Sequence, residues 1–302
     1  MTALVAAPPR TKREFRWSPK LAAGVLILVG FVLVGLTHPL LQTTVWSGEP
    51  WVYDPAIGHD PSTTNPSGPS AAHWLGTDPL GRDVLSTLTV SLWPSLAMAG
   101  VVAVTTGVVT LASAALAAYY RRGVDRVLTS TADAMLLFPA PLLFLVVGIA
   151  RPDIPIVILG VVYGVVFGLG AGAIVVRSRA LVVMAKPFID AARMAGGPAS
   201  WIIRRHLIPH LMPYVTVQVL AGVTGALIVQ GFVEYNAGGT RVGLGNLVYQ
   251  ALTYREALLT APPWSTLLAG GLAISLLAAS FYLMSSGIKE LVDPTPLDRG
   301  SI

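Results

Sequence analysis

Six stretches of this chain are apolar over about twenty residues each, long enough as helix to cross roughly 30 Å of hydrocarbon. They run approximately over Leu21–Leu41, Leu92–Ala118, Ala132–Ala150, Ile154–Val176, Met212–Val233 and Trp264–Gly287. In lipid a backbone must satisfy its own hydrogen bonds, and an apolar run of this length does so as a helix. The charge is thin to match: 12% of the residues are charged and 54% are hydrophobic, where soluble domains carry roughly a quarter charged residues. The expected fold is all-α and polytopic, with six transmembrane helices. The first stretch is longer than the apolar part of a secretory signal, and Thr37-His38-Pro39 offers no small-residue cleavage pattern, so it reads as a retained helix. No cysteine is present, which excludes disulfides, cysteine–zinc sites and thiol nucleophiles.

Lys and Arg set the orientation. With the N-terminus in the cytoplasm, sixteen of the twenty cations fall on the cytoplasmic side, leaving Arg82, Arg151, Arg241 and Arg255 outside. By the positive-inside rule both termini are then cytoplasmic. The organisation that follows is a cytoplasmic tail (1–20), a first helix (21–41), an extracytoplasmic segment (42–91), a five-helix core (92–287) and a second cytoplasmic tail (288–302). Topology accounts for the net charge of +5, so it points to a lipid bilayer and to no nucleic acid.

Three features stand out within this frame. Gly160, Gly164, Gly168 and Gly172 recur every fourth residue, a ridge against which another helix can pack closely, or slide. The segment 42–91 interleaves Trp46, Trp51, Tyr53 and Trp74 with five acids, which suits either interfacial anchoring or docking of an external partner. The cytoplasmic connection 177–210 is far longer than spans require and carries Arg177, Arg179, Lys186, Arg193, Arg204 and Arg205. Its pattern predicts a short helix over Phe188–Ala195 with small inner positions Ala191, Ala192 and Ala195. A break at Gly196-Gly197-Pro198 and a second helix from about Ala199 to Leu207, ending at Pro209, should follow.

Enzymatic chemistry finds little footing. His206 and His210 are spaced i, i+4, but Pro209 interrupts them and no zincin Glu follows the first. No G-x-x-x-x-G-K-[ST] loop occurs, so any ATP that drives this chain is bound by a separate subunit. Asp133 and Glu234 are the ionisable groups nearest the spans, as interfacial residues or as candidate pathway or gate residues; no carboxylate is placed mid-span, as a proton-coupled pump would need.

A family resemblance arises at the long loop. Asp190-Ala191-Ala192, Gly196 four residues on, and Ile208-Pro209 resemble the EAA loop of ABC importer permeases, with Asp for the usual Glu and Ile for the usual Leu. The resemblance implies a type I importer permease fold and assigns Asp190 to Gly197, with Ala191, Ala192, Arg193 and Gly196, to a coupling helix held by an ATPase subunit. His73–Ser86 (HWLGTDPLGRDVLS), with Trp74, Gly76, Thr77, Asp78, Gly81, Arg82 and Asp83, is similar to the signature of the C-type subunit of dipeptide, oligopeptide and nickel permeases. Gly123–Arg126, Asp133, Phe138-Pro139 and Val292-Asp293-Pro294 are similar to further stretches of that family. In the outer region, Glu234-Tyr235 and Val242-Gly243-Leu244-Gly245 look closer to the B-type partner subunit. What the resemblance implies is a non-catalytic half of a translocation pathway for di- or oligopeptides. Its partners would be a B-type paralogue, two ATPase subunits or one fused ATPase, and an external solute-binding protein. No cofactor is bound directly, and ATP and Mg belong to the ATPases. Nickel or another small solute, an ion-coupled secondary transporter and an intramembrane enzyme stay open as alternatives.

Overall fold

The computed structural model describes residues 18–137, 139–151, 154–236, 242–253 and 264–293. Every regular element among them is helical. The elements are α1 Pro19–Thr43, α2 Val84–Tyr120, α3 Arg122–Leu137, α4 Ala140–Ala150, α5 Ile156–Phe167, α6 Ala173–Met184, α7 Pro187–Met194, α8 Ala199–Ile202, α9 Ile208–Asn236, α10 Leu244–Thr253 and α11 Trp264–Val292. Two π-helical turns, Gly168–Gly172 and Ile203–Leu207, join α5 to α6 and α8 to α9. Both tails lie mostly outside the described residues, as do Arg241, Arg255, Phe138 and Pro294.

Five continuous helical stretches are long and apolar enough to cross a membrane, and α3 with α4 makes a sixth candidate bent by 72°. The third expected span, over Ala132–Ala150, is thus a bent pair. Pro139 has no N–H to continue α3 and disfavours helix in the residue before it, so the chain stops at Leu137 and restarts at Ala140. The second span begins earlier than the apolar run suggests. Asp83 caps its first turn by accepting from Ser86 N at 2.7 Å, and the helix from there is 37 residues long.

Because lipid tails are as apolar as leucine, helices associate in a membrane through close packing rather than through expulsion of water. The glycine ridge on α5 is built for that. A Cβ at Gly160 would stand 3.2 Å from Val101, at Gly164 2.7 Å from the Thr105 Cβ, and at Gly168 3.0 Å from Val109. The partners on α2 are themselves four residues apart, so the two helices mesh row into row. Thr106 and Thr110 hydroxyls then donate to the Gly164 and Gly168 carbonyls at 3.4 and 3.2 Å. The ridge does not stay in step to its end. The π turn shifts the register, and Gly172 faces Thr110 rather than a residue one turn further along α2. On the other flank, α1 lies against α11 through Gly24 and Gly287, and its Ser18 and Lys20 bond Glu290.

Close approach at Gly164 has a measurable cost if removed. Gly164→Val overpacks the α2–α5 contact and should destabilise the bundle by about 1–3 kcal/mol, read as a lower melting temperature in detergent. Gly30→Val, where an added Cβ meets nothing within 4 Å, should leave it unchanged.

Candidate coupling surface and gate

The connection after α6 is shorter than the basic segment suggested. Residues 173–184 are still helix, and Arg177 belongs to it, where its guanidinium grips the Asp125 carboxylate of α3 with Nη2 at 2.7 Å from Oδ2. Of the six cations, Lys186, Arg193, Arg204 and Arg205 are left exposed on the loop itself.

α7 is amphipathic at the scale of two turns. Ile189 and Ala192 are buried, in one cluster with Ile202, Leu207 and the α2 and α6 ends (Ala114, Met184). Asp190, Ala191, Arg193 and Met194 point outward; Met194 is 83% exposed. Of the small positions expected inside, only Ala192 is inside, since Ala191 and Ala195 lie on the open face. Arg193 bonds Asp190 at 3.4 Å and reaches over the Tyr119 ring at 5.7 Å, which ties the outer face of α7 to the end of α2. The helix ends in a complete Schellman motif. Gly196 is left-handed (φ 78°), Gly196 N donates to Arg193 O at 2.9 Å, and Gly197 N reaches Ala192 O at 3.1 Å. A Cβ on Gly197 would press on the Trp201 ring at 3.0 Å, whereas one on Gly196 would meet nothing. The first glycine is thus required by backbone conformation and the second by space.

The second helix of the loop does not stop at Pro209, which corrects the expectation from sequence. Residues Ala199–Asn236 form one helical stretch of 38 residues, about 57 Å at the usual rise. The π turn at Ile203–Leu207 stands just where the Pro209 ring would otherwise strike the Arg205 carbonyl, and the wider turn makes room for it. The loop is thereby fused to the membrane helix.

At the far end of that stretch Glu234 is buried and holds the start of α10, accepting from Gly245 N at 3.0 Å. Its other oxygen accepts from Gln230 Nε2 at 2.7 Å, and the same Nε2 lies 3.1 Å from Ser95 Oγ of α2. Gly243 and Gly245 lack side chains where one would collide with Glu234: a Cβ would fall 2.6 Å from Oε1 in the first case and 2.8 Å from Cβ in the second. Glu234, Gly243 and Gly245 therefore form one unit, with a carboxylate at a helix N-terminus as the local dipole favours. Residues 237–241 of the glycine-rich run lie outside the described residues. Asp133 is not part of this group and sits exposed on α3.

The His73–Ser86 motif builds a folded cap over the start of α2. His73 is fully buried, with Nδ1 2.9 Å from Asp83 Oδ2 and Nε2 3.1 Å from Asp60 Oδ2. Hydrogen bonds from Ser62 hold the Asp60 carboxyl below its ordinary range. Asp78 accepts from Arg82 Nε at 2.7 Å and from the Leu80 and Arg82 backbone at 2.9 Å. Thr77 bonds Asn65 at 2.6 Å, and Gly76 and Gly81 take positive φ. Trp46 is buried and stacks on Tyr53 at 5.1 Å, while Trp51 and Trp74 remain more than half exposed. The aromatic residues therefore divide between the cap's own core and its surface. Sequence reasoning that weighed only ionisable groups missed Gln230, Asn246 and Gln250, all buried. Gln230, placed four residues before Glu234 in an apolar span, was the available signal.

Gly196→Val forces a β-branched residue into left-handed backbone at a cost of about 1–2 kcal/mol, with no steric contact to confuse the reading. Amide exchange across residues 187–197 should accelerate, whereas Ala195→Ser on the same exposed turn should leave it near the parent rate.

Comparison with known proteins agrees with this architecture. Residues 109–295 match the family described as the binding-protein-dependent transport system inner membrane component. A dipeptide transport system permease protein of Alkalihalophilus pseudofirmus is 29% identical over 90% of this chain and 84% of its own. Glutathione transport system permease proteins are similar too: that of Pectobacterium atrosepticum is 29% identical over 93% of this chain and 90% of its own. That of Escherichia coli O6:K15:H31 is 31% identical over 76% and 74%. The chain belongs to the family of multi-pass inner-membrane permease components of binding-protein-dependent ABC transporters, which work with a binding protein and an ATPase.

Proposed function

We propose that this chain is one of two different permease subunits in an ATP-driven importer of short peptides, paired with a B-type paralogue. The relatives named for dipeptide and glutathione transport support that substrate class. The charge asymmetry supports a cytoplasmic α7 and an external His73–Ser86 cap. In this reading the exposed face of α7, around Asp190, Arg193 and Met194, seats in the ATPase, either two subunits or one fused chain. ATP and Mg are bound there, and the permease performs no chemistry.

The observation that carries the mechanism is the unbroken helix Ala199–Asn236. When ATP closes the ATPase pair, α7 moves with it. Because α8 continues into α9 without a hinge loop, the displacement reaches Glu234 as a rigid-body shift rather than being lost in a flexible connection. There it repositions α10 through the Glu234–Gly245 contact and opens the outer side to solute delivered by the binding protein. Hydrolysis resets the arrangement.

The test is uptake into right-side-out proteoliposomes that hold the full transporter, with ATP inside and its binding protein outside. Labelled di- and tripeptides should accumulate, and Asp190→Ala with Arg193→Ala should abolish both uptake and binding-protein-stimulated ATPase activity while the chain still inserts. Accumulation of nickel ions without peptide would overturn the substrate class. Normal uptake by the double variant would overturn the coupling role of α7.

A further inference from the structure

A groove between α6, α9 and α11, at the coupling-loop end of the bundle, takes no part in that mechanism. It encloses about 190 Å³, and its two walls differ in chemistry. Val175, Val217 and Val292 form an apolar side. Arg179, Tyr214 and Lys289 form a polar one. The Arg179 guanidinium lies 4.9 Å over the Tyr214 ring, and its Nη2 bonds Asp293 Oδ2 at 2.5 Å. That bond uses one nitrogen of three, so Nε and Nη1 keep donors to offer. Lys289 is exposed and makes no ion pair among the described residues. The adjacent Glu290 is directed away, to Ser18 and Lys20 of α1. Two cations thus face a single carboxylate.

Depth narrows the choice of ligand. Arg179 lies within the last turns of α6, Lys289 within the last turn of α11, and Tyr214 within the second turn of α9. Each of these helices crosses the membrane, so the polar wall stands near headgroup level; Val175 and Val217 lie toward the hydrocarbon, and Val292, at the very end of α11, stays beside Lys289. Basic pockets between transmembrane helices at this level suit lipid phosphates. A soluble anion would use the cations but gain nothing from the valines. We infer that this groove binds the phosphate of an anionic phospholipid, with Lys289 and Arg179 on the phosphate and the acyl stem along Val175 and Val217.

Native mass spectrometry of the purified full-length chain tests this, with phosphatidylglycerol, phosphatidylcholine and inorganic phosphate as probes. Phosphatidylglycerol should be retained in preference to phosphatidylcholine, and excess inorganic phosphate should fail to displace it. Lys289→Gln should weaken its retention about fivefold, the usual contribution of one cation at a membrane surface. Asp293→Asn, which keeps the shape and removes the acid, should strengthen it. Equal retention of the two lipids overturns the inference, as does retention unmoved by both variants. Displacement by inorganic phosphate would show a soluble anion to be the ligand instead, and would overturn the lipid.

Discussion

Carrying one helix from residue 199 to residue 236 past Pro209 and Pro213 is the constraint on which the rest of this molecule depends. Proline removes a donor and crowds the carbonyl four residues earlier, which in most helices produces a break or a kink. Here the π turn at Ile203–Leu207 absorbs the misfit of Pro209, and Pro213 is carried inside α9. A break at that point would leave the short helices of the loop swinging on a hinge. Without one, Ile202, Leu207 and Leu211 form a continuous buried face packed with α2 and α6, which in the proposed mechanism would carry a displacement of α7 onward.

One end of the bundle uses the same device twice, at the start of α2 and beyond the end of α9. Asp83 caps α2 and is held by His73, and Glu234 holds the start of α10 while it is tied to Gln230 and through it to Ser95. In each case a buried carboxylate meets orphan N–H groups at a helix N-terminus, where charge and backbone dipole agree. Gly243 and Gly245 leave the room that Glu234 needs, whereas Gly76 and Gly81 in the cap are set by their positive φ. The cap is braced through two further acids, Asp60 and Asp78, whereas the start of α10 is held by one carboxylate and one amide. The difference fits the proposed mechanism, in which the start of α10 moves and the cap does not.

Much of this was legible in the sequence, and the failures have physical causes. Span positions follow from hydrophobic length alone, and the Gly196 break follows from the backbone freedom that only glycine supplies. The course of α9 was misread because Pro209 is an ordinary stop signal, and a π turn leaves no mark in residue type. Hydropathy runs through Phe138-Pro139-Ala140 and so marks the third span without showing that it bends where α3 ends. Arg177 counted as a loop cation until its partner, Asp125, was seen 52 residues away; no local pattern encodes such a pairing. The His73–Ser86 motif was recognisable, but its work of closing on itself through Asp60 and Asn65 depends on residues outside it.

The central claim is that the loop and the gate move as one piece. The absence of cysteine allows spin labels at Ser200 and Asn236 without a background, at a separation of about 54 Å along the helix. In the assembled transporter, electron–electron distance measurements should give the same narrow distribution between these labels with and without ATP, while the distance from Asn236 to Thr43 on α1 changes. A Ser200–Asn236 distance that shifts or broadens with ATP would place a hinge within the helix and contradict the account.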